Sequence, residues 1–173
     1  HRMRALCSSI LIGSHTLNYD HPSLTVRLVE GSNPRRVVLC STESDFSSLQ
    51  SGSDNPVLVI GSGDDPCLKN TEYVQLAADK DGKVACTDIL KLLFEKGLYT
   101  VYVEGGSATT SSFLAQKSID VLQLHIAPLI FGSGLDSFTL SEISSVSDAV
   151  EFDRFYFKPV GDTFMFVGEM HHD

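Results

Sequence analysis

The sequence predicts a single mixed α/β domain, in which a mostly parallel β-sheet is flanked by helices and a C-terminal antiparallel hairpin follows. Three observations carry this. Residues 9–12, 57–60 and 100–103 are short apolar runs of strand length, and each stops at glycine: Gly13, then Gly61 and Gly63, then Gly105 and Gly106. Apolar runs without polar alternation suit strands buried on both faces, as in parallel sheets. Helix-length patterns lie between such runs, with Ile89, Leu90, Leu92 and Leu93 forming one apolar face. From Ala149 the character changes: Phe152, Phe155, Phe157 and Val160 precede Gly161-Asp162, and residues 163–167 complete a hairpin.

In chain order, H-R-M-R-A-L reads as the end of a helix running into the first strand, residues 9–12. Residues 15–22 (H-T-L-N-Y-D-H-P) read as a polar loop of turn formers. Residues 24–29 and 36–39 read as extended, separated by the break Gly31-Ser32-Asn33-Pro34. Residues 41–55, rich in Ser, Asp and Gly, form a surface connection with room for a helical part. Residues 73–76 give a short strand, followed by the turn Asp79-Lys80-Asp81-Gly82. Thr87 is placed to cap a helix that Gly97 ends. A second helix is expected over residues 109–117 with Phe113 and Leu114 inward. Residues 121–126 alternate as a strand, Leu122, Leu124 and Ile126 against Gln123 and His125.

At 173 residues the chain is long enough to bury a core without disulfides or metal. With 42% hydrophobic and 20% charged residues and no apolar run near the roughly 20 needed to cross a bilayer, it reads as soluble. Four cysteines without a C-x-x-C pattern favour reduced thiols and a cytoplasmic setting, and no Cys/His spacing suggests zinc. No signal-peptide pattern is visible. The net charge of −9 argues against nucleic acid or an anionic membrane as partner. Its distribution points to smaller anions: residues 1–36 hold Arg2, Arg4, Arg27, Arg35 and Arg36 against Asp20 and Glu30, a balance of +3 that leaves −12 elsewhere. Arginine's planar fork suits phosphate. The stretch V-Y-V-E-G-G-S, residues 101–107, is a strand stopping at two glycines before a run of small hydroxyl residues. A backbone without Cβ lets a ligand approach, and the following helix start attracts an anion.

The run R-A-L-C-S-S-I-L-I-G-S-H-T-L-N-Y-D-H-P-S-L-T-V-R, residues 4–27, resembles the opening of the reductase domain of the bifunctional riboflavin biosynthesis deaminase/reductase family. That family typically reads R-A-x-x-D-A-I-L-x-G-x-x-T-x-x-x-D-D-P-x-L-T-V-R. V-Y-V-E-G-G-S and I-D-V-L-Q-L-H-I-A-P-L-I-F-G resemble the same family, in the same order. The resemblance implies a dihydrofolate-reductase-like fold. It also implies NADPH-dependent reduction of 5-amino-6-(5-phosphoribosylamino)uracil to its ribitylamino product, with hydride delivered to C1′ of the ribose. It implies Arg4, Leu24 and Arg27 at the substrate, the arginines near the 5′-phosphate. Thr16, Asp20 and Ser41 fall at the cofactor, with Ser41, Thr42 and a nearby arginine the candidates for its 2′-phosphate. Glu104 falls at the substrate and is the catalytic candidate. Gly105, Gly106, Ser107, Ala108, Thr109, Thr110 and Ser111 form the stretch around the cofactor's phosphates.

Each assignment has a simpler rival. Asp20 before His21-Pro22 could stabilise a turn, Thr16 could bond loop backbone, and Glu104 could bond a neighbouring helix start. Arg27, among apolar residues, reads as functional or paired. His21 stands where the family has a second Asp, and Cys40 where its strand commonly ends in Asp. In the family a first strand precedes the position of His1, so residues 1–173 are expected to be the reductase domain without that strand or an upstream deaminase domain. A homodimer through the aromatic hairpin is expected. Two other functions stay open: a same-fold NADPH reductase for another substrate such as a pterin, and a non-catalytic nucleotide-binding or dimerisation module.

Overall fold

A computed structural model describes residues 1–40, 44–49 and 55–171. They fall into two compact units, His1–Thr110 and Ser111–Asp173.

The first unit contains α1 (Arg2–Leu6), β1 (Ser9–Gly13), α2 (Ser14–Asp20), β2 (Arg35–Leu39), β3 (Val57–Gly61), β4 (Thr71–Gln75), α3 (Cys86–Glu95) and β5 (Val101–Val103), and α4 (Ser107–Ala115) starts at its end. The five strands form one parallel sheet in the order β4-β3-β2-β1-β5. Leu11 lies opposite Val37 on one side and Val103 on the other. Ile10, Leu11 and Ile12 are fully buried, and every residue of β3 is buried, as the unbroken apolar runs require. Ile10, Ile12, Leu17, Leu24, Val38, Phe46, Leu49, Val57 and Val59 form one core cluster. Each such side chain contributes roughly 1.5–3 kcal/mol relative to exposure.

Two local expectations give way to tertiary structure. Residues 15–22, expected as a loop, lie largely in α2, whose only buried residue is Leu17. One buried residue in seven carries no periodicity, so core packing of Leu17 forms this helix where pattern could not announce it. His21 ends it in the left-handed conformation, φ +44°. Residues 24–29, expected as extended, hold no strand. Leu24 adopts φ +54°, which breaks a ladder. The amides of Val26 and Arg27 donate instead to Asn33 Oδ1 and His1 Nδ1, at 2.7 and 3.0 Å. Smaller shifts occur at α3, where Ala85 rather than Thr87 is the N-cap, and at α4, which starts at Ser107. Gly97 ends α3 region at φ +76°. Of the connection 41–55, Ser47–Leu49 is a 3-10 turn.

The second unit holds β6 (Val121–Ile126), β7 (Arg154–Val160) and β8 (Thr163–Glu169) in antiparallel order β6-β8-β7. The C-terminal hairpin is present, with Gly161 at φ +58° in its two-residue turn, but it pairs with β6 in a sheet of its own. Register explains the choice. Leu124, Phe166 and Phe157 lie in one row, flanked by the rows Leu122, Gly168, Phe155 and Ile126, Phe164, Pro159, so one face is apolar throughout. The ring of Phe166 stands 5.3–6.2 Å from those of Phe152, Phe155 and Phe157. Among the described residues no helix is long and apolar enough to cross a membrane.

Candidate active site

The strand order locates the site. From β1 the chain steps outward through β2, β3 and β4, then returns to lay β5 on the other side of β1. Where neighbouring parallel strands lead their connections in opposite directions, a crevice opens beyond their carboxyl ends. Here α2 begins directly after Gly13, and α4 follows β5 after Glu104-Gly105-Gly106. Glycine is needed for their close approach. A Cβ on Gly13 would stand 2.5 Å from Thr109 Oγ1, one on Gly105 2.8 Å from Thr109 Cβ, and one on Gly106 3.1 Å from Thr16 Oγ1. The Gly106 amide donates to Thr16 Oγ1 at 3.0 Å, tying the two helix starts together. First-turn amides lack intrahelical partners and sit at the positive end of the helix dipole, so this edge suits phosphate.

Beside the glycines stands an ion pair. Arg4, in the last turn of α1, donates from Nε to Glu104 Oε2 at 2.7 Å and from Nη2 to Glu104 Oε1. Its Nη1 donates to the carbonyl of Thr25 at 3.1 Å. The Arg4 side chain is 13% exposed and that of Glu104 34%. The carboxylate's hydrogen bonds raise the Arg4 pKa against the opposing effect of burial. The Glu104 amide donates to the Leu11 carbonyl at 3.0 Å, extending the β1–β5 ladder by one bond. Tyr102, half-buried on β5, has its phenol pushed up by burial and then by the Glu104 charge.

The family described as the RibD C-terminal domain matches residues 1–156. The chain belongs to this family. A 2,5-diamino-6-ribosylamino-4(3H)-pyrimidinone 5′-phosphate reductase of Aquifex aeolicus is 30% identical over 139 residues, 76% of this chain and 62% of that protein. A reductase of the same name from Methanothermobacter thermautotrophicus is 30% identical over 165 residues, 88% of this chain and 75% of that one. The solved structure of a diaminohydroxyphosphoribosylaminopyrimidine deaminase/5-amino-6-(5-phosphoribosylamino)uracil reductase from Thermotoga maritima shares 30% identity at a TM-score of 0.76, covering 98% of this chain and 47% of that one. The chain thus spans less than two thirds of the Aquifex reductase and about half of the Thermotoga protein.

This RibD C-terminal domain gathers some of the expected site residues and disperses others. Thr16, Gly105, Gly106, Ser107 and Thr109 meet at the crevice, and Arg4 and Glu104 meet beside it. Ala108 and Thr110 share the first turn of α4, and Asp20 is exposed at the end of α2. Ser111 belongs to the second unit, where its Oγ accepts from the Thr139 amide at 2.7 Å. Leu24 has its side chain in the core, 1% exposed, so only its left-handed backbone is available for contact. Arg27 was expected to be half-buried in a strand; its side chain is exposed and outside any strand, because the Leu24 turn redirects the chain. Ser41 and Thr42 lie outside the described residues. Sequence reasoning missed Gly13, Thr25 and Tyr102 as site neighbours. Gly13 carried the same strand-stop signal as Gly105, whereas the Thr25 carbonyl is main chain and left no signal. A shallow cavity lined by Asp120, Val121, Glu169, Met170 and His171 contains none of these residues.

Proposed function

We propose that this RibD C-terminal domain carries out the reductase step of riboflavin biosynthesis, reducing 5-amino-6-(5-phosphoribosylamino)uracil to the ribitylamino product with NADPH. The observation that carries this reading is the meeting of two helix starts over Gly13, Gly105 and Gly106 beside Glu104, at the carboxyl ends of β1 and β5. The glycines let the two helix starts close on each other through Thr16 and Thr109, and the groups gathered there are backbone amides and hydroxyls, which suit a dinucleotide's phosphates. Thr16, Asp20, Ser41 and the stretch from Gly105 to Thr110 would hold the cofactor. When bound, its nicotinamide supplies a hydride to C1′ of the open ribose imine. The protein's own contribution is positioning and a dry, charged setting. Glu104 places a carboxylate where positive charge develops on the imine. Arg27, with its exposed head, meets the 5′-phosphate, and the backbone at Leu24 borders the substrate.

Similarity to the diaminopyrimidinone phosphate reductases of Aquifex and Methanothermobacter supports a second reading, in which the substrate is the 2,5-diaminopyrimidinone rather than the uracil. Both substrates carry the same ribosylamino phosphate, so the roles above are unchanged. A pterin reductase or a non-catalytic module remains the contrast. We further infer a cytoplasmic homodimer, supported by four cysteines with no C-x-x-C pattern and by the exposed apolar face of the second unit.

The test is a fluorescence titration with NADPH and with NADH, followed by turnover of each pyrimidine. Saturable NADPH-preferring binding with turnover of one of them supports the reading. Binding with turnover of a pterin instead, or folded protein that binds neither cofactor, overturns it.

A further inference from the structure

We propose that His21 serves cofactor binding as a positioning residue, its protonated imidazole pairing with Asp45 to hold the end of α2 against residues 44–49. Because that end carries Asp20, affinity for NADPH rises as pH falls through the range where histidine takes up its proton. This rests on the cofactor reading above and adds a pH-dependent latch to it.

The build of α2 explains why a latch matters there. The helix has seven residues and one buried side chain, Leu17, so little core contact holds its last turn. His21 closes that turn in the left-handed conformation, its amide donating to the Leu17 carbonyl at 3.2 Å. In a residue other than glycine such a conformation persists only where neighbouring structure holds it. Residues 44–49 supply the hold. Phe46 and Leu49 are buried in the same core cluster as Leu17 and Leu24, and Arg36 Nη1 donates to the Leu49 carbonyl at 2.8 Å, so this piece is itself well fixed. Its polar edge meets α2 and the residues just after it. The Asp45 amide donates to Asn18 Oδ1 at 2.8 Å, and the Ser48 hydroxyl donates to the Pro22 carbonyl at 3.3 Å.

His21 adds a charged contact to this junction. Its Nδ1 stands 3.8 Å from Asp45 Oδ2. That separation is too long for a hydrogen bond but close enough for an ion pair, so the contact strengthens when the ring is protonated. Asp45 Oδ1 is already engaged, accepting from the Ser47 amide at 2.9 Å. The hydrogen bonds from Ser47, and after them the His21 charge, hold the Asp45 carboxyl below its ordinary range. The carboxylate is therefore ionised at neutral pH, and the imidazole is the group whose charge changes. Two carboxylates are at hand for it, Asp45 on residues 44–49 and Asp20 next to it in the chain. Only the pair with Asp45 joins two segments. The family pattern places Asp at this position, which would set like charges face to face, so the latch belongs to this chain. Both side chains are about half exposed, which keeps the effect modest.

The test joins a binding series to a spectrum that needs no ligand. NADPH dissociation constants of the intact chain and of His21→Asn, Asp45→Asn and His21→Lys are measured by fluorescence titration at about pH 6 and about pH 8. Asparagine tolerates the left-handed backbone, so the first change leaves the turn in place. Dividing each variant by the unaltered chain cancels the titration of the cofactor's own 2′-phosphate and of His15, the other imidazole of α2. For His21→Asn and Asp45→Asn, the loss of affinity should grow by about twofold to fivefold from the higher pH to the lower, the range of an exposed pair. His21→Lys, charged throughout, should bind more tightly than the unaltered chain at the higher pH and match it at the lower. Without cofactor, the Asp45 amide signal in the 15N spectrum should move between the two pH values, and should stay in place in His21→Asn. A loss of affinity equal at both pH values, or an Asp45 amide that titrates unchanged in His21→Asn, overturns the latch while leaving the reductase reading intact. An unaltered chain whose Asp45 amide titrates but which binds no NADPH at either pH overturns the cofactor reading itself, and the role of His21 with it.

Discussion

Thr109 sits against two glycines at once, and the two contacts differ in kind. A Cβ at Gly13 would meet the Thr109 hydroxyl, whereas one at Gly105 would meet its Cβ. Gly13→Ala should therefore cost about 1–3 kcal/mol of stability, the usual range for overpacking. Thr109→Ala should relieve most of that cost, because it removes the clashing oxygen. It should not rescue Gly105→Ala, since an alanine keeps the Cβ. Denaturant melts of the singles and the two doubles check this, and equal rescue at both positions would refute the contact geometry. The E-G-G motif was legible in the sequence because its glycines stand beside hydroxyl residues after a strand. The burial of the Leu24 side chain and the exposure of Arg27 were not, because one residue at φ +54° reverses which side chains face inward.

At the level of elements, Glu72 on β4 joins Arg35 of β2 at 2.6 Å and Lys96, just after α3, at 2.5 Å. The hydrogen bond from Lys96, followed by the charges of Lys96 and Arg35, holds the Glu72 carboxyl below its ordinary range. A carboxyl whose pKa is lower in the folded than in the unfolded chain stabilises the fold fully above its unfolded value of about 4.3. That stabilisation disappears as pH falls through the folded value. Because Glu72 is 41% exposed, its contribution belongs with surface pairs, about 0.2–1 kcal/mol. Glu72→Gln should lower the melting temperature slightly at pH 7 and leave it unchanged near pH 3. An equal deficit at both pH values would mean that packing, not charge, links these elements. None of this network is visible as a motif, since its three residues come from three separate elements. The strands β1, β3 and β6 were legible through their apolar patterns, while α2 was not, for want of a second buried residue.

For the whole molecule, the parallel sheet was expected and its order was not, because no local pattern records which side of β1 the fifth strand takes. The antiparallel sheet likewise came from pairing of distant segments: Val121 lies opposite Glu169. Its apolar face leaves Phe155, Phe157 and Phe164 each more than half exposed. A monomer seldom shows so continuous an apolar surface. Sedimentation should show a dimer that Phe157→Asp converts to a monomer. A monomer in the unaltered chain would remove the homodimer from the proposed function.

The contact between β1 and β5 has a bearing on how the chain becomes active. Ser8 and Thr100 bond across 92 positions of sequence, whereas β1 to β4 assemble by shorter steps. Closing so long a loop is entropically late, since each doubling of length adds about 0.6 kcal/mol and long-range pairings slow folding. The glycine crevice and the Arg4–Glu104 pair exist only after that closure. A refolding chain should thus complete most of its parallel sheet before any ligand can recognise it, and regain of binding should trail regain of strand structure.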